Sequence, residues 1–178
     1  MKKIIALAGS NSKQSINKAL ATYTANQIEG ATVQVLDLND FPMPIYSIDI
    51  ENESGIPAQA HELLNQLNTA NGLVISLAEH NGSYAAVFKN VYDWMSRIQK
   101  EVWNNTPMLL MATSPGARGG QTVLNMAKSG FPYLGGNIVA HFSLPSFGSN
   151  FTPDGIADTA LASDLKTQLN SFEQAVKG

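Results

Sequence analysis

The sequence predicts an α/β fold, a doubly wound five-stranded parallel sheet with helices on both faces. Two observations predict it. Short apolar runs alternate with amphipathic helical stripes five times along the chain. The first run, Lys3–Ala8, has no polar alternation, as expected of a strand buried on both faces. A chain of 178 residues with 44% hydrophobic residues suits one domain, taken as residues 1–178.

The first helix is expected over Ser15–Ile28, with Ile16, Leu20 and Tyr23 as its stripe and Gly30 ending it. The second strand is Thr32–Leu36, and a long loop, Asp37–Gly55, carries Pro42 and Pro44. The second helix starts near Pro57 and points Ala60, Leu63, Leu64 and Leu67 inward. The third strand is Gly72–Ala78. The helix Tyr84–Ile98 has Val87, Val91, Trp94 and Ile98 on one face and Phe88, Tyr92 and Met95 on its neighbour. That arc is wider than one sheet face requires, so part of it is expected to meet another subunit. The fourth strand is Pro107–Ala112, followed by a short helix over Gly120–Ser129 that Gly130 stops. A strand near Asn137–Ala140 and a last helix over Asp158–Val176, striped by Leu161, Leu165, Leu169, Phe172 and Val176, complete the pattern.

Composition narrows the chemistry. With no cysteine, disulfides, thiolate nucleophiles and iron–sulfur clusters are excluded, and three scattered histidines offer no metal site. A net charge of -3 gives no basic footprint for nucleic acid. Only 14% of residues are charged, which favours an oligomer. No run is long enough for a membrane span, and the N-terminal apolar stretch is too short for a secretion signal, so a cytoplasmic location is expected.

In such a sheet, ligands sit beyond the carboxyl ends of the strands. Three loops there carry the candidates. Gly9–Asn17 offers the hydroxyls of Ser10, Ser12 and Ser15 and the free N–H groups of a helix start, suited to a phosphate. The same residues also read as an ordinary cap, with Asn11 and Gln14 at capping-box spacing or Ser12 or Ser15 as the cap. It matches neither the dinucleotide G-x-G-x-x-G nor the Walker pattern. The second loop, Ala78–Tyr84, centres on Asn81-Gly82, a tight-turn pair whose N–H groups suit a planar heterocycle. The third, Thr113–Gly120, places three glycines in five positions, so something is expected to lie against them; Arg118 there reads as solvated. Together the loops suit a mononucleotide with a flat ring. No catalytic side chain is identified, which fits a cofactor that carries its own chemistry.

These loops resemble the NAD(P)H-dependent FMN reductase family, a flavodoxin-like group that includes quinone, chromate and azo-dye reductases. The resemblance rests on Gly9, Ser10, Ser12, Ser15 and Asn17; on Glu79, His80, Asn81, Gly82 and Ser83 followed by Phe88, Lys89, Asn90, Asp93 and Trp94; on the run Ser114–Gly120; and on the spacing of Leu38, Pro42, Pro44 and Tyr46. It implies a non-covalent FMN. Its phosphate would be held by Ser10, Ser12, Ser15 and Asn17, with Ile16 beside them, and its ring by Glu79, His80, Asn81, Gly82 and Ser83. The third loop, with Ser114, Gly116 and Gly119, would border the ring. It also implies ping-pong hydride transfer from NADPH or NADH to FMN N5 and then to a quinone, free flavin, azo compound or metal oxyanion. A homodimer or homotetramer formed through Tyr84–Ile98 is implied as well. Where the family has an arginine this chain has Ser12, so weaker FMN retention is expected; Ala78 and His80 replace a proline and a tyrosine. The alternative is a flavodoxin-like electron carrier that does not oxidise NAD(P)H directly. A hydrolase on the same scaffold and a protein that has lost its flavin are the remaining readings.

Overall fold

A computed structural model describes residues 1–178. The chain runs β1 (Lys2–Gly9), α1 (Ile16–Asn26), β2 (Ala31–Leu36), α2 (Ile48–Ser54), α3 (Ala58–Asn68), β3 (Gly72–Leu77), β4 (Glu79–His80), β5 (Ser83–Tyr84), α4 (Ala86–Ile98), β6 (Pro107–Thr113), α5 (Gln121–Gly130), β7 (Asn137–Leu144), α6 (Phe147–Asn150), β8 (Phe151–Thr152), β9 (Gly155–Ile156) and α7 (Thr159–Lys177). The central sheet has the order β2-β1-β3-β6-β7 with every pair parallel. This is the doubly wound order in which winding reverses between β1 and β3.

Apolar side chains alternate between two cores because successive strand residues face opposite sides. Ile5, Leu7, Leu73, Ile75, Met108 and Leu110 join Leu63, Leu64, Phe88, Val91 and Val123 from α3, α4 and α5. Ile4, Ala6, Val74, Leu109, Met111 and Phe142 join Leu20, Ala25, Leu165 and Phe172 from α1 and α7. No helix is long and apolar enough to cross a membrane.

Several expected boundaries move. The buried stripe of α1 is Asn17, Leu20, Ala21, Thr24 and Ala25, turned away from Ile16 and Tyr23, because the polar Asn17 occupies an inward position. The Asp37–Gly55 loop contains α2, which buries no side chain and therefore has no stripe to read; its signals are the Ser47 cap and acidic Asp49 and Glu51 in the first turn. Tyr84 belongs to β5, so α4 begins two residues later than expected, at Ala86. Gly130 is itself helical, and the chain continues through a 3-10 turn, Phe131–Leu134, to Gly135 at φ 77°. β7 extends past Ala140 to Leu144; as an edge strand it exposes His141 and half-exposes Ser143, which breaks the apolar run.

Part of the wide arc of α4, Phe88, Val91, Trp94 and Met95, is buried within the chain. Trp94 is 0% exposed, and its indole N–H donates to the Pro44 carbonyl at 2.7 Å. Asn90 Nδ2 donates to the same carbonyl at 3.0 Å, while the Tyr46 N–H donates to Asn90 Oδ1 at 2.8 Å. The Tyr46 ring meets Trp94 edge-on with centroids 5.0 Å apart. The segment after β2 thus straps over α4 at Asn90 and Trp94, while Val87, Tyr92 and Ile98 of the same arc stay half-buried.

Candidate functional site

The first loop is knitted by its own hydroxyls. Ser10 Oγ accepts the Ser12 N–H at 3.2 Å, and Ser12 Oγ accepts the Gln14 N–H at 3.2 Å. Ser15 is the cap of α1, its Oγ accepting from the Lys18 N–H at 3.1 Å. In each case a backbone N–H takes a lone pair on the hydroxyl oxygen and leaves the hydroxyl proton to be donated elsewhere. Asn17 points inward and is 3% exposed. Its Oδ1 accepts from Ser76 Oγ at 2.7 Å and the Thr113 N–H at 3.0 Å, and its Nδ2 donates to the Thr113 carbonyl at 3.2 Å. One amide therefore ties the start of α1 to the ends of β3 and β6.

The second loop is a two-residue hairpin. Glu79 pairs with Tyr84 and His80 with Ser83 across Asn81 and Gly82, whose φ values are 52° and 74°. Two successive positive φ angles define the type I′ turn that Asn-Gly favours. Neither the Asn81 nor the Gly82 N–H makes a backbone hydrogen bond. Glu79 reaches the other way: its Oε2 accepts the Val123 N–H at 3.0 Å, capping α5, whose own N-cap residue, Gly120, has no side chain to do so. Burial, reinforced by Tyr92, pushes the Tyr84 hydroxyl up to about 12.

The third loop corrects one expectation. What lies against Gly119 and Gly120 is the protein itself. A Cβ on Gly119 would sit 2.9 Å from the Pro145 nitrogen, and one on Gly120 would sit 2.9 Å from Ala112 Cβ; both residues have positive φ. Gly116, by contrast, has room. Gly119→Ala is expected to destabilise the fold by about 2–3 kcal/mol, combining left-handed strain with overpacking against β7. Urea denaturation of this variant beside Gly116→Ala, expected to be near neutral, checks the assignment. Ser114 Oγ lies 3.2 Å from the Gly116 carbonyl, to which it donates. Arg118 is exposed and donates to Thr122 Oγ1 at 2.7 Å.

The loops enclose a cavity of about 180 Å³. Ser10, Ser12, Ser15, Ile16 and Asn17 line it from the first loop, Glu79 and His80 from the hairpin, and Ser114 from the third. Asn81, Gly82, Ser83, Gly116 and Gly119 lie outside it. Gln14, Ala78, Thr113 and Pro115 also line it; they belong to the same three loops but were not singled out as cofactor contacts. A larger crease of about 590 Å³ between α5, β7 and α7 includes Arg118, His141 and Asp164, but none of the predicted site residues. Donor chemistry, rather than volume, singles out the smaller cavity.

A family model described as NADPH-dependent FMN reductase matches residues 2–148. The chain belongs to this family. Among FMN reductase relatives, a quinone reductase of Escherichia coli (strain K12) is 34% identical over 119 residues, 66% of this chain and 63% of that protein. A 2-hydroxy-1,4-benzoquinone reductase of Burkholderia sp. matches with the same identity and coverage. In both cases the match spans less than two-thirds of the relative's length. Among solved structures, the flavoenzyme NAD(P)H:(acceptor) oxidoreductase FerB from Paracoccus denitrificans superposes with a TM-score of 0.77 at 23% identity, covering 99% of this chain and 98% of that one. An azoreductase from Bacillus anthracis str. Sterne gives a TM-score of 0.66 at 17% identity, with full coverage of both chains. At those identities the likeness establishes the fold, which is the flavodoxin-like one.

Proposed function

We propose that the chain is an NAD(P)H-dependent FMN oxidoreductase that reduces small-molecule acceptors such as quinones, alternating between nicotinamide and acceptor in a ping-pong cycle. The observation carrying this reading is the set of three serine hydroxyls whose oxygens are occupied by backbone N–H groups beside a helix N-terminus. Such a set donates and is suited to an anion. The fit to FMN is partial enclosure. A cavity of about 180 Å³ is below the ~300–1,000 Å³ of pockets that swallow a whole ligand. It suits the phosphate end, with the ring over the hairpin.

Bound there, FMN would take reducing equivalents from the nicotinamide and hand them to the acceptor. The protein's part is to hold and polarise. Ser10, Ser12 and Ser15 donate to the phosphate, aided by the open N–H groups at the start of α1. The N–H groups of Asn81 and Gly82 donate to the polar edge of the ring and favour negative charge there. His80 and Ser83 flank that edge, and Ser114 and Gly116 border the ring from the third loop. Asn17 fixes the loop rather than facing solvent. No side chain is required as a general base. Low charge content and the half-buried Val87, Tyr92 and Ile98 of α4 support a homodimer or homotetramer formed through that helix.

The test is an anaerobic absorbance titration of protein loaded with FMN and freed of excess. Bleaching within seconds by NADPH or NADH, and recovery on adding a quinone, is the expected result. Flavin that bleaches only with dithionite would instead make the protein an electron carrier. Weak retention during removal of excess FMN is expected, because Ser12 provides no bidentate cation for the phosphate.

A further inference from the structure

Besides the burial of Leu38 and Phe41 in the core, the strap after β2 is hydrogen-bonded at two places that belong to the two halves of the site. At its start, Lys18 of α1 pairs with Asp37 at 2.5 Å, and Asn39 Nδ2 donates to the Asn11 carbonyl at 3.2 Å inside the first loop. At its far end, the Pro44 carbonyl takes two donors, Asn90 Nδ2 and Trp94 Nε1, and so has both lone pairs occupied. Glu51 of α2 extends that grip, accepting from the Tyr46 hydroxyl at 3.0 Å and from Arg97 Nε at 2.9 Å. α4 in turn starts immediately after the hairpin, with Ala85 as its N-cap. A path of covalent chain and hydrogen bonds therefore runs from the hairpin along α4, across to Pro44, and back along residues 37–44 to the backbone of the phosphate-side loop.

We propose that Asn90 and Trp94 are positioning residues for the FMN site, holding the 37–46 segment as a strut that sets the phosphate-side loop relative to the ring-side hairpin. Neither residue lines the cavity, so neither is a contact residue. The inference rests on the FMN reading of that site. A strut needs both ends fixed: two prolines, Pro42 and Pro44, stiffen the span between the clamps. Its outer face is open at Ile45, 82% exposed, while Leu38 and Phe41 are buried in the core and Met43 packs against it, so the span is fixed along its length by those side chains and at its ends by the hydrogen bonds.

The experiment uses the full chain and FMN itself. Asn90→Asp combined with Trp94→Phe removes both donors to Pro44, yet keeps the acceptor for the Tyr46 N–H and an aromatic ring against Tyr46. Asn39→Ala removes the donor to the first loop. FMN release is expected to accelerate about tenfold in the double variant and about threefold in Asn39→Ala. Combined, they should fall short of the product, since a strut cut at one end has little left to transmit. In apo protein, amide exchange at Ser12 and Gln14 should quicken in the double variant, although neither residue touches α4. Multiplying effects would overturn the proposal. So would unchanged FMN release and unchanged exchange at Ser12 and Gln14 while exchange at Tyr46 rises. If the wild-type protein takes up no FMN, the functional reading falls, and exchange at Ser12 and Gln14 alone decides the strut: quickened exchange supports it and unchanged exchange overturns it.

Discussion

Asn17→Leu is expected to lower unfolding stability by about 4 kcal/mol, the largest stability effect of any single change around the site. The side chain is 3% exposed and satisfies three groups: the Ser76 hydroxyl, the Thr113 N–H and the Thr113 carbonyl. Leucine fills the space and leaves those groups buried without this partner, at roughly 1–3 kcal/mol each. For a chain of this length, that corresponds to a fall in Tm of roughly 8–16 °C. Asn17→Asp retains the acceptor for Ser76 and Thr113 N–H, and its denaturation midpoint should lie between wild type and Asn17→Leu. Equal midpoints for wild type and Asn17→Leu would show that the amide is not the tie between α1, β3 and β6.

The second large effect is on function. Converting Asn81-Gly82 to Val-Val is expected to reduce FMN-dependent reductase activity roughly a hundredfold while the central sheet remains folded. Both positions have positive φ, at 52° and 74°, where a β-branched residue is strained by at least ~1–2 kcal/mol. The type I′ turn would give way, and with it the two N–H groups proposed to meet the ring. Circular dichroism should be nearly unchanged, because the hairpin is outside the five-stranded sheet. Full activity in this variant would remove the ring from the hairpin.

How much was legible follows the physics of each element. Three of the five strands of the parallel sheet, β1, β3 and β6, could be read closely because they are buried on both faces and so almost continuously apolar, and the edge strand β2 was found although its burial is partial. The edge strand β7 was cut short where His141 and Ser143 face outward. α2 was invisible to periodicity because it buries nothing. The β8–β9 hairpin was missed although Pro153-Asp154-Gly155 is a turn signal, since two-residue strands have no pattern. In the site, Ser15 as cap and Asn81-Gly82 as a tight turn were readable from local chemistry. The inward direction of Asn17 and the reach of Glu79 to Val123 depend on residues far apart in the chain, 96 positions for Asn17 and Thr113 and 44 for Glu79 and Val123. The glycines of the third loop were read as room for a ligand; Gly119 and Gly120 instead make room for β7 and β6.

The borrowed cap on α5 has a kinetic meaning. The Gln121 and Leu124 N–H groups of α5 bond locally, to the Arg118 and Gly120 carbonyls, but the Val123 N–H takes its acceptor from Glu79 in the hairpin. That bond forms only when the hairpin has closed, and opening the hairpin breaks it again. Residues 79–84 and the Val123 end of the first turn of α5 are therefore expected to open together in local unfolding. A ligand that steadies the hairpin would also slow amide exchange in the first turn of α5, at a place it never touches.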